Sequence, residues 1–393
     1  MTLRQTQWLQ AIRRGCLLEG DGNMRIGILT FFESENYGTV LQAYALQRYL
    51  TLQGHETELI RIKREVNAVS RHFAPAEVSY TLPEKLRIKG TVLLHRKDAA
   101  EKRAAFASFR ARHLSLSQQL CQSDEHLASL LPAYDLFISG GDQIWNPYHK
   151  VFSTRYLFDF LPPQARRISY GSSFGVSRIE EPQIRETVRK YLSRYQALSV
   201  RESSGVEMLR QMGLAATQVL DPVFLLYGQW QIAPRPCKEK YCLVYSLVDY
   251  PKEEDEIIRR FARARGLSVI VLPENRHNCA TPYRKAFCAG PEEFLALLAH
   301  AEHVFTNSFH GLAFSLMFER QVSLLGSISQ DSRSKRTRLT DLLQMFAIED
   351  RTICAEPKEI DYKAVLSVMQ EQILRSKRFL DEAQSAAPDT AEK

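Results

Sequence analysis

A histidine at the end of a predicted strand is the clearest candidate for proton transfer. His310 lies in the segment TNSFHGL, residues 306–312, between that strand and an apolar helix. The N-terminus of a helix presents unpaired N–H groups and partial positive charge, which favour a phosphate or carboxylate. Imidazole exchanges protons near neutral pH. We therefore predict that His310 is catalytic and that Asn307 and Ser308 bind substrate. The open alternative is a histidine that only caps the turn.

Arg201 is the second candidate, because it directly follows a predicted strand over residues 197–200. An arginine at a strand end can reach a cleft, where its planar guanidinium binds a carboxylate or phosphate through paired hydrogen bonds. A salt bridge to the adjacent Glu202, or to another acid, is an equally good interpretation. We predict a catalytic Arg201 that holds an anion, with the salt bridge as the alternative.

Small and polar residues also follow three other predicted strands. Glycine lets a ligand approach the backbone closely, although a glycine at a strand end also suits an ordinary turn. In open parallel sheets, ligands bind at the carboxyl ends of the strands. We therefore expect these loops to meet His310 and Arg201 in one cleft. Their candidate substrate-binding residues are Asn36, Gly38, Gly141, Asp142, Ser172 and Ser173.

The sequence gives little support for metal chemistry. His300, His303 and His310 are closely spaced, but no carboxylate is spaced to complete a metal shell with them. The seven cysteines are scattered and form no CxxC pair, so we expect free thiols. Neither a Walker motif nor a GxGxxG motif is present. We predict no metal and no cofactor.

The periodicity of apolar residues predicts an α/β protein. A strand over 24–31, a helix over 40–50 and a strand over 58–62 form a βαβ unit, which implies parallel strands. Strands are also predicted over 134–139, 167–170 and 197–200, with a basic, helix-like segment over 84–113. A helix over 202–212 completes this first set. A second set comprises strands over 241–247, 267–272, 303–306 and 322–325, with helices over 253–265 and 291–299. The predicted fold is two facing Rossmann-like domains, a GT-B-like arrangement with an interdomain cleft.

Breaks in this pattern suggest the domain boundaries. Residues 1–23 lack apolar periodicity and precede a second methionine, so we expect a disordered, dispensable extension. The N-terminal Rossmann-like domain is expected over 24–221 and the C-terminal one over 222–350. The last segment, 351–393, is expected to hold an amphipathic helix over 361–381 and a disordered tail.

The formal net charge of +7 suits anionic partners. No nucleic-acid motif accompanies it, so nucleic acid is not expected as a partner. The basic segment 84–113 fits either a solvated helical face, or a lid or surface that attracts an anionic acceptor, whether lipid-linked or not. No apolar run is long enough to cross a bilayer, and no secretory signal begins the sequence. We expect a cytoplasmic protein, with peripheral association with the inner face of the membrane left open.

Together these segments resemble the polysaccharide pyruvyl transferase family over residues 24–351. Six segments carry the resemblance: NYGTVLQAYAL (36–46), FISGGDQIWNP (137–147), ISYGSSFG (168–175), SVRE (199–202), LDPVFLL (220–226) and TNSFHGLAFSLMF (306–318). The resemblance implies a GT-B-like fold, no nucleotide cofactor, and phosphoenolpyruvate as the donor of a pyruvate ketal on a sugar. It also implies a site histidine, matched by His310, and a strand-end arginine, matched by Arg201.

One position departs from the family pattern. Many members carry an arginine two residues before the histidine, where this chain has Ser308. If that arginine holds the donor, another cation must replace it. Lys335, Arg336 and Arg338 are the candidates, because they follow the next predicted strand.

Two alternatives remain open at this point. A sugar-nucleotide glycosyltransferase of the same architecture would bind a nucleoside diphosphate. A non-catalytic carbohydrate-binding relative would keep the fold without turnover. The polar residues around His310 argue against the second alternative, whereas the missing arginine leaves it open.

Overall fold

Four parallel strands form the first sheet, in the order β2-β1-β3-β4. They are β1 (Arg25–Leu29), β2 (Glu56–Leu59), β3 (Leu136–Gly140) and β4 (Arg167–Tyr170). The computed structural model describes residues 23–63, 81–129, 131–326 and 333–385. The side chains of β3 and β4 are buried throughout, as expected where helices cover both faces of a parallel sheet. The short strands β5 (Ser199–Val200) and β6 (Thr217–Gln218) extend this sheet beyond β4 through isolated bridges.

Among the described residues, six α-helices belong to this first half in sequence. They are α1 (Tyr37–Leu52), α2 (Leu82–Leu94), α3 (Arg96–His113), α4 (Asp124–Ala128), α5 (Pro182–Leu192) and α6 (Ser203–Gln211). The predicted basic segment is two helices, because the backbone leaves helical geometry at His95. A short 3-10 helix, Pro222–Leu226, leads into the second half.

The second sheet is also fully parallel, in the order β11-β10-β7-β8-β9. Its strands are β7 (Tyr241–Tyr245), β8 (Ser268–Leu272), β9 (Arg284–Lys285), β10 (His303–Thr306) and β11 (Gln321–Leu324). The helices are α7 (Lys252–Ala264), α8 (Arg276–Ala280), α9 (Pro291–Ala299), α10 (Phe309–Met317), α11 (Arg333–Met345) and α12 (Tyr362–Ser385). Counted from β7, this order is the 3-2-1-4-5 of a Rossmann half. The predicted pair of Rossmann-like domains is therefore confirmed.

Two helices join the halves through buried apolar contacts. Tyr37 at the start of α1 stacks on Phe294 of α9 at 4.3 Å, and its hydroxyl donates to the Ala289 carbonyl at 2.7 Å. The last helix, α12, packs Met369 into the core of the second half and Leu380 into the core of the first. The halves consequently share their apolar core along α1 and α12.

Most element positions agree with the sequence prediction, but several boundaries differ. The helix over 291–299 and the strand over 303–306 match the structure, whereas β2 lies at Glu56–Leu59, earlier than the predicted 58–62. Helices α5 and α11 were not predicted. Residues 1–22 lie outside the described residues, so the structure does not address the expected extension. No helix in the described part of the chain is long and apolar enough to span a membrane.

Candidate active site

Two of the predicted site residues, Gly141 and Asn307, lie where the strand order of each sheet reverses. In the first sheet β1 and β3 are neighbours, and Gly141 follows β3 with a φ of +109°. A Cβ on Gly141 would lie 2.3 Å from Gln42 Oε1, so only glycine fits this turn. In the second sheet, Asn307 links the ends of β10 and β7 by accepting from the Leu247 N–H at 2.8 Å and donating to the Val248 carbonyl at 3.0 Å. Such reversal points are the usual ligand sites of open α/β sheets.

His310 occupies the first turn of α10, just after β10. Ser308 is the N-cap of this helix, and its Oγ accepts from the Gly311 N–H at 3.3 Å. The side chain at the family's arginine position therefore fixes the start of the helix that carries His310. The imidazole is only 3% exposed. Its Nε2 makes no hydrogen bond to any described residue, but lies 3.5 Å from Asp221 Oδ2.

Gly38 of α1 forms the opposite wall of the imidazole pocket. A Cβ at this position would lie 2.0 Å from His310 Nδ1 and 2.4 Å from Cγ. No side chain fits that gap unless the ring moves. The absence of a side chain at Gly38 therefore lets α1 of the first half contact the histidine of the second.

Asp221 connects His310 to Arg201. Its carboxylate is fully buried, and Oδ2 accepts from Arg201 Nη1 at 2.6 Å while facing His310 Nε2. Oδ1 accepts from the Val223 N–H at 3.1 Å and so caps the 3-10 helix. Burial alone would raise the pKa of Asp221, but His310 and Arg201 beside it hold that pKa below its ordinary value. Asp221 is therefore a carboxylate shared by the two predicted catalytic residues.

Arg201 is surrounded by acids and an aromatic ring. Its Nη2 donates to Asp142 Oδ1 at 2.6 Å and lies 3.7 Å from Glu202 Oε1. The guanidinium carbon lies 4.1 Å from the centre of the Phe309 ring. Burial would lower the pKa of Arg201, but Asp142 and Asp221 raise it above its ordinary value. Arg201 therefore forms the salt bridges of the one sequence interpretation. It also lies in the cleft at the end of a strand, as the anion-binding interpretation requires.

Arg338 reaches the same cluster from α11. Its Nη1 donates to Asp142 Oδ1 at 2.7 Å, so Asp142 accepts from two guanidinium groups, one from each half. Burial would raise the pKa of Asp142, but Arg201 and Arg338 hold it well below the ordinary value. Of the three proposed substitutes for the family arginine, Arg338 lies in the cluster. The side chains of Lys335 and Arg336 lie outside the described part.

Glu202 and Ser173 form the floor of the cluster. The Ser173 hydroxyl donates to Glu202 Oε1 and lies 3.4 Å from Arg201 Nη2. Burial raises the pKa of Glu202, which Arg201 and Arg338 oppose only in part. The group therefore combines two permanent cations with two ionised aspartates and a glutamate that binds a proton more readily than usual.

Several buried polar atoms of the cluster lack a hydrogen-bond partner among the described residues. They are Arg201 Nε, Arg338 Nε, Glu202 Oε2 and His310 Nε2. A narrow cavity, about large enough for one water molecule, is lined by Arg201, Glu202, Asp221, Phe309 and Arg338. Buried polar atoms are normally paired, so unpaired ones beside a cavity are typical of a ligand site. In this conformation the interdomain cleft is closed around the cluster.

The other predicted residues have local partners. Asn36 caps α1 by accepting from the Thr39 N–H at 3.0 Å, and the Ser172 hydroxyl donates to the Ser139 carbonyl at 3.2 Å. His300 and His303, weighed as metal ligands, contact the Ala233 carbonyl and the Ser323 hydroxyl respectively. The structure thus brings Gly38, Asp142, Ser173, Arg201, His310 and Arg338 together, while Asn36, Ser172, Asn307 and Ser308 hold the surrounding backbone.

Two site residues were missed from the sequence. Asp221 was interpreted only as the end of the first domain, and Glu202 only as a partner for its neighbour. The motif LDPVFLL that carries Asp221 was a signal, because an acid inside an otherwise apolar segment is buried at a cost unless it is paired.

Replacing Gly38 with alanine should displace the imidazole of His310. We expect Gly38→Ala to lower the free energy of unfolding by roughly 1–3 kcal/mol, as overpacking does, and to reduce activity. Gly90→Ala is the matched control, since Gly90 is also helical and a Cβ there meets nothing within 4 Å. Urea unfolding of both variants checks this, and equal stability of the two would contradict the contact.

The Asp221 carboxylate should make stability depend on pH. Because its pKa is lowered in the folded state, its contribution is present above the ordinary carboxyl pKa of about 4 and is lost as the pH falls below that value. We expect Asp221→Asn to cost about 3–5 kcal/mol at pH 7, as the loss of one buried charge does. The variant should also lose less stability than the parent when the pH falls from about 4 to about 2. If the free energy of unfolding fell equally with pH in the two proteins, this prediction would be contradicted.

Two solved structures of low sequence identity align with most of the chain. The UDP-GlcNAc 2-epimerase from Neisseria meningitidis, bound to UDP-GlcNAc, is 9% identical, with a TM-score of 0.47 over 93% of this chain and 95% of that one. The glycosyltransferase SnogD from Streptomyces nogalater is 12% identical, with a TM-score of 0.42 over 92% of this chain and 100% of that one. No curated protein matches the chain significantly.

Most of the sequence matches a known family. The family model described as polysaccharide pyruvyl transferase matches residues 36–327, well over half of the chain. This range includes five of the six residues brought together in the cluster, and Arg338 lies just beyond it. The chain belongs to the polysaccharide pyruvyl transferase family.

Proposed function

We propose that the protein transfers pyruvate from phosphoenolpyruvate to a sugar of a surface or exopolysaccharide precursor, forming a cyclic ketal. The observation that carries this proposal is the buried chain His310–Asp221–Arg201, with Arg338 beside it. It combines a proton carrier with two guanidinium groups, and the donor requires both. The family membership supports the same reaction class.

The reaction needs protons to move at defined atoms. A proton is added to the methylene carbon of phosphoenolpyruvate, which makes C2 electrophilic and oxocarbenium-like. One sugar hydroxyl adds to C2 and loses its proton. Phosphate then leaves, and the second hydroxyl closes the ketal and loses its proton in turn. A histidine that takes up and releases protons near neutral pH suits these steps.

Each residue of the cluster has a separate role in the proposed reaction. His310 carries protons, and the Asp221 carboxylate faces its Nε2 at 3.5 Å. Arg201 and Arg338 face the carboxylate and phosphate of the donor, with Arg338 in place of the family arginine that Ser308 replaces. No step requires a metal or a redox cofactor.

Substrate entry requires the two halves to separate. His310 is nearly inaccessible, and the cavity beside it is far smaller than a sugar. Three contacts close the cleft: Gly38 with His310, Asp142 with Arg338, and Arg201 with Phe309. We infer that donor and acceptor bind to an opened form and that closure excludes water from the reacting centre.

The acceptor and the location belong to the same proposal. We propose that the acceptor is lipid-linked, which would place the enzyme at the inner face of the membrane. The deciding assay incubates the protein with phosphoenolpyruvate and a panel of lipid-linked oligosaccharides. Release of phosphate together with a mass gain of pyruvate less water supports the proposal. Release of nucleotide from a UDP-sugar, with neither of those products, would overturn it.

Loss of the His310 imidazole should abolish most of the turnover. General acid–base groups typically contribute 10²–10⁴ in rate, so we expect His310→Ala to lower kcat by about that factor while the melting temperature stays within a few degrees. His300→Ala is the matched control, because His300 contacts only a carbonyl oxygen at the protein surface. Near-normal turnover of His310→Ala would show that His310 is not the proton carrier.

Loss of the Arg338 guanidinium should weaken donor binding. We expect Arg338→Ala to raise the KM for phosphoenolpyruvate about tenfold or more with a smaller change in kcat, as the loss of ground-state binding does. Arg201→Ala is a poorer test, since it also leaves Asp142 and Asp221 buried without their shared cation. Arg189→Ala, which removes an exposed arginine, is the control. An unchanged KM in Arg338→Ala would assign the donor to other groups.

A further inference from the structure

The outward surface of α2 is unusually apolar. Its exposed side chains include Leu82, Leu86, Val92, Leu93 and Leu94, which are 55% to 81% exposed. Elsewhere in the described residues, the exposed large apolar side chains are Leu52 on α1, Leu247 in the loop after β7 and Leu374 on α12. Single exposed apolar residues are normal, but a cluster of them on one helix marks an interaction surface.

Helical geometry places three of these leucines on one stripe. Leu82, Leu86 and Leu93 are separated by four and seven residues, so they project from the same side of α2. Lys85 and Lys89 lie beside the stripe and are exposed, and Arg96 and Lys97 continue the positive charge into α3. Between residues 81 and 97 the one acid is Glu84. The outward face is therefore apolar and basic, without an acidic residue.

The inward face of α2 is fixed to the second half. Glu84 accepts from Lys252 Nζ at 2.7 and 2.9 Å, Arg87 Nη1 donates to the Ala280 carbonyl at 3.1 Å, and the Thr91 hydroxyl donates to the Cys279 carbonyl at 3.4 Å. These contacts prevent the helix from turning its leucines inward. The apolar and basic face is thus held toward solvent.

We propose that the outward face of α2 docks on an anionic phospholipid bilayer. Leucine side chains between lysines are the pattern of helices that lie in the plane of a membrane, with the apolar stripe in the acyl boundary and the cations at the headgroups. A symmetric contact with a second copy fits less well, because it would place the same lysines opposite one another. The chemical partner is therefore a surface that is both apolar and negatively charged.

Docking of the outward face of α2 would bring the active site close to a lipid-linked acceptor. This role for the docking rests on the proposed function. Helix α3 continues from α2 and carries Lys102 over the ring of Tyr37 at 4.8 Å. Tyr37 precedes Gly38, which forms the wall of the His310 pocket. The membrane face and the catalytic wall are therefore linked through packed residues.

Vesicle co-sedimentation tests the docking. The full chain should bind vesicles of phosphatidylcholine and phosphatidylglycerol at least tenfold more tightly than vesicles of phosphatidylcholine alone, since each basic residue near an anionic surface adds to binding. The variant L86E/L93E should lose binding to both kinds of vesicle, and K85E/K89E should lose the preference for anionic vesicles. L52E/L374E, which alters exposed leucines on other elements, is the matched control and should bind like the parent. Melting curves confirm that each variant is folded.

The outcomes separate docking from catalysis. Binding of L86E/L93E equal to that of the control would overturn the docking proposal. So would a dimer in solution, seen by light scattering, that L86E/L93E converts to monomer. Turnover with a short, lipid-free acceptor should be the same in L86E/L93E as in the parent, because α2 lies outside the cluster. Vesicle binding without any pyruvyl transfer would refute the proposed function and leave the docking intact.

Discussion

The buried guanidinium of Arg201 is the interaction on which the rest of the site depends. A charge removed from water is tolerated only where other charges and hydrogen bonds surround it. Asp142, Asp221 and Glu202 supply that surrounding in the first half, and Phe309 closes it from the second. Because the acids come from three different strand ends, these strand ends must come together before Arg201 is compensated. The site is thereby tied to the topology of the sheet.

The same charges set the arrangement of the two halves. Asp142 accepts from Arg201 of the first half and from Arg338 of the second, and Asp221 of the first half faces His310 of the second. Neither aspartate has its full set of partners unless the cleft is closed in this register. The contact of Gly38 with the imidazole limits sterically how closely the two halves can approach each other. Electrostatics and packing therefore favour one closed geometry, in which the proposed proton carrier and cations lie together.

The sequence predicted the fold better than it predicted the site. Elements with strong apolar periodicity, such as 291–299 and 303–306, matched the structure because local pattern and tertiary burial agree there. Helix α11 was missed because its first residues are polar and basic, and its helical state depends on burial of Leu339, Leu342 and Leu343 against the core. Strand ends were predictable as ligand positions since parallel topology places them at one edge. The pairing of Arg201 with Asp142 and Asp221 was not predictable, because these aspartates are distant in sequence. No local pattern shows which acids the fold places beside the arginine.

The pairing of Arg338 with Asp142 also bears on how an anionic donor would bind. A guanidinium that is already desolvated and held by a carboxylate has incurred its cost of burial during folding. An arriving carboxylate or phosphate of the proposed donor would replace Asp142 as its partner, exchanging one anion for another rather than extracting a hydrated cation from solvent. The displaced Asp142 keeps Arg201 as a partner, so opening does not leave it uncompensated. The cluster is therefore preorganised for an anion while remaining close to neutral in the ligand-free, closed form.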